Sequence, residues 1–592
     1  MNTFWKTFFG SILGVWVALF LIIILAIGFG AALVSASDQP VSIRSNSLLH
    51  IKLDKTIPEL TDNLDPGYLV LDTEKTMGLH EILATIDQAS RNDKIKGIFL
   101  EVDLVNASFT TVNTIRDALI DFKASGKFII AYSDFYSQQA YFLSTAADEV
   151  YVNPIGLIDI RGFSATVPFY TDLFDKIGLK MNVFYAGKFK SATEPFRRTS
   201  MSPENKLQTR SYLTELYDHL IREIAASRDI DSNALRAVVD DFDGLYPEKV
   251  LESRLVDGVV TRGEIIEVLK KRLGLQSDDS FPMVSLLDFN LADPPSKNYS
   301  SKNKIAVIHA EGTIMDGEGD NGMVGSHQYV KVIRELKTNS SVKAIVLRVN
   351  SPGGSALASE NILRELNEVK AGGLPVVVSM GDYAASGGYY ISCGADSIFA
   401  QPTTITGSIG VFSIFPDLSE MMNDKVGIHF DTVNTADLAS AFSPFFAMST
   451  KEVRLMNQRT ENMYQIFLKR VADGRGMTIA EVNEIAQGRV WTGKQALERN
   501  LVDALGDLDA AIQTAASMAG LQKGEYRIAN YPYVKDPWVR LIEDFTGKKT
   551  AAQLKEKALK DELGKWYPTY KQFRDLSRET GVQARMLEIV HF

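Results

Sequence analysis

Short apolar runs rich in β-branched residues alternate with amphipathic stretches along most of the chain. Ile305–His309, Ala344–Val349, Pro375–Ser379 and Ser397–Ala400 read as strands. Gln328–Thr338 and Ser359–Ala371, apolar at three- and four-residue spacing, read as helices between them. Such alternation predicts an α/β fold with a largely parallel sheet. Ser202-Pro203-Glu204 places proline in the first turn of a helix, and Ser449-Thr450-Lys451-Glu452 is a capping box opening another. Beyond Tyr533 the pattern becomes charged and helical over Ala551–Leu563 and Thr569–Ser577.

The same pattern occurs twice. At an offset near 247, Lys96-Gly-Ile-Phe-Leu-Glu-Val-Asp103 lies over Lys343-Ala-Ile-Val-Leu-Arg-Val-Asn350. Tyr141–Asp148 lies over Tyr389–Asp396, Pro154 over Pro402, Met201-Ser202 over Met448-Ser449, and Leu255-Val-Asp257 over Leu501-Val-Asp503. The seam, Gln276–Asn303, is rich in Ser, Asp and Pro, as a linker is. The expected organisation is an N-terminal segment (1–38), a first repeat (39–295), a second repeat (296–530) and a charged helical tail (531–592) without a counterpart in the first repeat.

The N-terminal segment changes the picture. Thr7–Ser37 carries no charge and Phe8–Val34 is almost continuously apolar, longer than the roughly 20 residues that cross a bilayer as a helix. A cleaved secretory signal has an apolar core of about 7–15 residues, so an uncleaved transmembrane anchor is the better reading. Lys6 before it and Asp38 after it put the short end in the cytoplasm and the rest outside the cytoplasmic membrane. With 592 residues, 45% hydrophobic and 23% charged, the chain can bury a sizeable core and is not disordered. A net charge of −10 without a basic block argues against a nucleic-acid partner. Cys393 is the only cysteine, which excludes intrachain disulfides and thiolate metal clusters.

Candidate chemistry lies where the repeats disagree. The second has Asn350-Ser-Pro-Gly-Gly-Ser355 leaving a strand, where the first has Asp103-Leu-Val-Asn-Ala-Ser108. Paired glycines let backbone N–H groups converge on one spot, although an ordinary turn has the same composition. The second also has Asp382-Tyr-Ala-Ala-Ser-Gly-Gly-Tyr-Tyr390 at a strand-to-helix turn, which sets Ser386 over Gln138. An exposed serine there suits a nucleophile, and the bland alternative is a helix N-cap. A serine needs a base. None of the seven histidines falls between Ser386 and the end of the next strand-turn stretch, Gln401–Phe415, and no zinc-ligand spacing exists, so no metal or cofactor is expected. Lysine becomes the candidate. Lys188 and Lys190 alternate in Val183–Phe196 of the first repeat, whereas Thr432–Phe445 of the second has none. Serine and glycines in one half and lysine in the other argue for a single site built between the halves.

At these residues the chain resembles the signal peptide peptidase A family in its long tandem form. The resemblance is carried by Phe189-Lys-Ser-Ala-Thr-Glu-Pro-Phe196, Ser351-Pro-Gly-Gly-Ser355, Met380–Tyr389 and Thr406-Gly-Ser-Ile-Gly410. It implies a tandem Clp-protease/crotonase-like α/β fold and a membrane-anchored serine endopeptidase with a Ser/Lys dyad. It further implies cleaved signal peptides and other unfolded apolar peptides as substrates, and a homotetrameric bowl with inward-facing sites. On this chain the resemblance puts the nucleophile at Ser386, the general base at Lys190 rather than Lys188, a lysine-orienting hydroxyl at Ser408 and the oxyanion hole at Gly353 and Gly354. The base must shed its charge, because a free lysine titrates near about 10.4 and a useful base near roughly 7–8. Apolar burial does this, so no carboxylate should touch the Lys190 amine and Glu194 should point elsewhere. The same apolar wall would favour Ala or Leu before the scissile bond. A crotonase-type acyl-CoA hydratase would need glutamate acids and bases instead, and a non-catalytic scaffold would tolerate loss of the serine, lysine or glycines.

Overall fold

The computed structural model describes residues 42–61, 76–295, 301–319, 322–532 and 582–585, with isolated positions near either end. Phe8–Val34 and the helical patterns of the tail lie for the most part outside the described residues, among which no helix is long and apolar enough to cross a membrane.

The first repeat supplies strands β1 (Ser47–Ile51), β2 (Ile95–Glu101), β3 (Phe128–Ser137), β4 (Glu149–Asp159), β5 (Lys180–Ala186), β6 (Gly258–Val259) and β7 (Met283–Ser285). All but β5 form one parallel sheet in the order β6-β4-β3-β2-β1-β7. The second repeat supplies β8 (Lys304–Glu311), β9 (Thr313–Met315), β10 (Met323–Gly325), β11 (Val342–Ser351), β12 (Gly353–Ser355), β13 (Val376–Ala385), β14 (Ser397–Ala400), β15 (Ile405–Gly407), β16 (Val411–Asp417), β17 (Val490–Thr492), β18 (Ala504–Leu505) and β19 (Arg527–Tyr531). Its main sheet runs β17-β15-β13-β11-β8-β19, with β14 and β18 attached beside β13. Each strand expected from the 305–400 pattern is present, and the two helices are Ser326–Thr338 and Ala356–Ala371. The runs in β8 and β11 read as continuous apolar stretches because helices cover both faces of a central parallel strand. Ser202 and Ser449 cap the helices Pro203–Arg228 and Thr450–Arg475 as their spacing predicts.

Two details differ from the sequence pattern. Gly353 and Gly354 form the short strand β12 rather than a turn, because β9 pairs alongside. The tail, expected to be charged and helical, contributes a strand, β20 (Gln583–Arg585). It completes a third sheet in the order β10-β9-β12-β20-β16-β5.

That third sheet joins the halves. From Val411↔Ala186 to Asp417↔Lys180, β16 of the second repeat pairs antiparallel with β5 of the first. Two polar clamps reinforce the junction. Arg348 of β11 donates to both Glu59 carboxylate oxygens at 3.0 Å, and both side chains are about 95% buried. The Thr111 backbone N–H and hydroxyl both donate to Asp382 Oδ1 at 2.9 Å, at the start of the turn that carries Ser386.

Candidate active site

Ser386 follows directly on β13, where the chain turns into the short helix Gly387–Ser392. Its backbone (φ 55°, ψ −111°) is one that non-glycine residues rarely adopt and that costs of order 1–3 kcal/mol. The turn is held by the Ser386 N–H donating to the Gly407 carbonyl at 2.8 Å and by Tyr390 N–H donating to the Ser386 carbonyl at 2.8 Å. Ser386 occupies the N-cap position, yet its side chain makes no capping hydrogen bond. The hydroxyl meets a lysine instead.

Lys190 arrives from the other repeat. It follows β5, and the pairing of β5 with β16 carries it under the turn. Its Nζ donates to Ser386 Oγ at 2.8 Å, to Ser408 Oγ at 3.1 Å and to the Ser408 carbonyl at 3.3 Å. Lys190 is 2% exposed, Ser408 2% and Ser386 fully buried. Ser408 also has a positive φ, 50°, and is fixed by its N–H donating to the Arg489 carbonyl at 2.7 Å. The lysine backbone packs on Gly488, where a Cβ would stand 2.7 Å from the Lys190 nitrogen, so only glycine permits this crossing of the repeats.

Ala186, Ala384, Ile409 and Val411, close along the chain to Lys190, Ser386 and Ser408, belong to one buried apolar cluster. Glu194, four residues beyond the lysine, points elsewhere, its Oε2 accepting from Ser202 N–H and Asn205 Nδ2 at 3.0 Å each. Lys188 is exposed, with its ammonium over the Phe189 ring at 5.3 Å. The two lysines of the alternating pair thus occupy opposite environments.

The glycines are close to the serine. A Cβ on Gly353, whose φ is +99°, would stand 2.6 Å from the Gly387 nitrogen, and one on Gly387 would stand 3.0 Å from the Gly354 nitrogen. The Gly353 N–H itself donates to Ser351 Oγ at 3.1 Å. Gly353 therefore shapes the strand, while the backbone of Gly354 packs closely against Gly387, the residue after Ser386. Gly387 was not singled out from the sequence. Its signal was the doubled glycine immediately after the serine, which is also a common way to open a tight turn. Ser355 closes the strand by capping the next helix, accepting from Ala358 N–H at 3.2 Å. Among the described residues no group of three or more His, Cys, Asp or Glu is arranged to hold a metal ion.

Comparison with known proteins agrees with the duplication. The chain matches Peptidase family S49 over residues 121–276 and again over residues 368–522. It is 35% identical to "Protease 4" of Haemophilus influenzae over 517 residues, covering 85% of this chain and 82% of that protein. It is 31% identical to "Serine protease SPPA, chloroplastic" of Arabidopsis thaliana over 454 residues, covering 75% of this chain and 66% of that one. A shorter relative, "Putative signal peptide peptidase SppA" of Enterococcus faecium, is 34% identical over 220 residues, covering 36% of this chain and 63% of its own.

Proposed function

Because the chain belongs to peptidase family S49 and is a serine peptidase, we propose that it is an endopeptidase in which Ser386 and Lys190 form the catalytic dyad. The observation that carries this reading is the 2.8 Å approach of Lys190 Nζ to Ser386 Oγ across the two repeats. Neutral Lys190 takes the Ser386 proton as Oγ attacks the substrate carbonyl carbon. The developing oxyanion is received by the backbone N–H groups of Gly354 and Gly387, the Gly353 N–H being engaged by Ser351 Oγ. The protonated lysine then gives its proton to the leaving amine, and water, activated by the same amine, releases the acyl group from Ser386. Ser408 holds the amine toward the nucleophile throughout.

The substrates under this proposal are cleaved signal peptides and other unfolded apolar peptides. The buried apolar residues that neighbour Lys190 and Ser386 along the chain, Ala186 and Ala384 among them, support this choice, because a charged side chain placed among them would be desolvated without a partner, at a cost of several kcal/mol. The uncharged Thr7–Ser37 segment supports anchoring in the cytoplasmic membrane with the repeats on its outer face. The reading extends to a Clp-protease/crotonase-like subunit assembled as a homotetrameric bowl. Its support is the resemblance and a stretch of the second repeat that leaves Ile428, Phe430 and Val433 exposed. A peptide library tests the substrate claim: cleavage after Ala or Leu should exceed cleavage after Asp or Lys by about tenfold or more, equivalent to ~1.4 kcal/mol. Equal cutting after all four would remove the apolar-wall argument.

A further inference from the structure

Gln208 lies on the helix Pro203–Arg228, beyond its Ser202 cap, and is 1% exposed. Its Nε2 donates to the Phe189 carbonyl at 3.0 Å and to Ser191 Oγ at 2.9 Å, the residues on either side of Lys190, with a longer contact of 3.4 Å to Asn205 Oδ1. Its Oε1 accepts from Val490 N–H of the second repeat at 3.3 Å. The stretch that ends at Val490 holds both ends of the lysine. The Gln487 carbonyl accepts from Phe189 N–H at 2.8 Å, Gly488 packs on the Lys190 backbone, and the Arg489 carbonyl accepts from Ser408 N–H at 2.7 Å. Ser408 Oγ in turn accepts from Lys190 Nζ at 3.1 Å. Gln208 thereby closes a ring that runs from the Lys190 backbone through Val490, Arg489 and Ser408 to the Lys190 amine.

The repeats disagree here as they do at the dyad. Setting Ser202 over Ser449 puts Gln208 over Leu455, which is 36% exposed. A buried amide opposite a partly exposed leucine reverses the usual distribution of the two residue types. A buried amide is stable only where its donors and acceptor find partners, and here those partners flank the lysine.

We propose that Gln208 is a positioning residue for the general base: it ties the Lys190 backbone to the stretch that fixes Ser408, so that the amine is held on Ser386. The inference rests on the dyad reading above and deepens it. A lysine amine sits on a flexible four-carbon stem. Hydrogen bonds at the amine alone leave the root of that stem free to shift, and a displacement of about 1 Å at a reacting group costs of order 100-fold in rate. Gln208 removes that freedom at the root while Ser408 removes it at the tip. It acts through Lys190 rather than on the substrate, so its loss is felt in the chemical step and not in binding.

Initial rates with a quenched fluorescent apolar peptide, beside thermal melts, test this on the full chain. Gln208→Met, similar in size but without the amide, should lower kcat by about 10- to 100-fold with KM within about twofold. Gln208→Asn keeps the amide but is one methylene short of the span. It should lose about tenfold in kcat with the same split, and it covers the case in which the methionine variant fails to fold. Glu215→Ala removes the 2.7 Å ion pair to Lys494, another contact of the same helix with the second repeat, and should leave kcat within about twofold. Because Gln208 and Ser408 hold one lysine, Gln208→Met combined with Ser408→Ala should fall within about threefold of the larger single effect. Unchanged kcat in the folded Gln208 variants, a loss confined to KM, a loss in Glu215→Ala equal to theirs, or losses that multiply with that of Ser408→Ala would each overturn the positioning role while leaving the dyad intact. Full activity of Lys190→Ala would overturn the dyad and this inference with it.

Discussion

The turn after β3 in the first repeat and the turn after β13 in the second are built on one plan and used differently. Ser137 pairs with Asp159 as Ala385 pairs with Gly407, so Gln138 stands where Ser386 stands and Ile160 where Ser408 stands. In the first repeat Ser137 caps its helix by accepting from Ala140 N–H, and the side-chain oxygen Oε1 of Gln138 accepts from the Arg161 and Gly162 N–H groups. The Ser137 hydroxyl and the Gln138 amide are thus both engaged in holding the turn. In the second repeat the turn is held by backbone hydrogen bonds, and the hydroxyls of Ser386 and Ser408 both meet Lys190. The difference teaches that the turn proposed to be catalytic has side chains relieved of structural work, by small residues and a strained backbone. The first repeat has kept the fold and exports its lysine.

The largest effect that breaks this comparison is removal of either partner. Ser386→Ala or Lys190→Ala should lower peptide hydrolysis by about a thousandfold or more with the melting temperature nearly unchanged, whereas Gln138→Ala should leave the rate within about twofold. Initial rates with a quenched fluorescent peptide, beside thermal melts, check all three; comparable loss in Gln138→Ala would mean that the first repeat has a site of its own. The junction comes next. Arg348→Met leaves Glu59 buried without its ion partner and should destabilise the protein by about 3–5 kcal/mol, read from denaturant unfolding. Its counterpart Glu101 is less buried and shared between His50, Lys52 and Arg262, so replacing it should cost less.

Ser408→Ala sharpens the assignment of roles. It should reduce kcat by about 10- to 100-fold with KM little changed, because orientation of the amine is lost and binding is not. Burial pushes the Glu101 carboxyl up, but the His50 hydrogen bond and the Arg262 charge outweigh it and bring it down from 4.5 to about 2. Its contribution to stability is therefore complete above about 4.5 and disappears as the pH falls toward 2, so Glu101→Gln should flatten the acid limb of the stability profile over that interval. The smallest effect is expected from Lys188→Ala, which removes an exposed ammonium and should retain most of the activity. A loss equal to that of Lys190→Ala would exchange the roles of the two lysines.

The amino-acid sequence alone determined the duplicated α/β pattern, the helix caps and the residues at which the repeats part. Periodicity and capping are local, and two copies of one pattern make each departure visible. Ser386, Lys190 and Ser408 stood out for that reason or by resemblance, but nothing local states that Lys190 and Ser386, 196 positions apart, touch. That was decided by the antiparallel pairing of β5 with β16 and by the close crossing at Gly488, both long-range events that no single segment encodes. The closeness of Gly387 to Gly353 and Gly354 depends likewise on β12 and the turn being brought together. The tail strand is the extreme case. Val582–Arg585 is too short to show a strand period, and it becomes a strand because β12 and β16 offer unpaired backbone on either side.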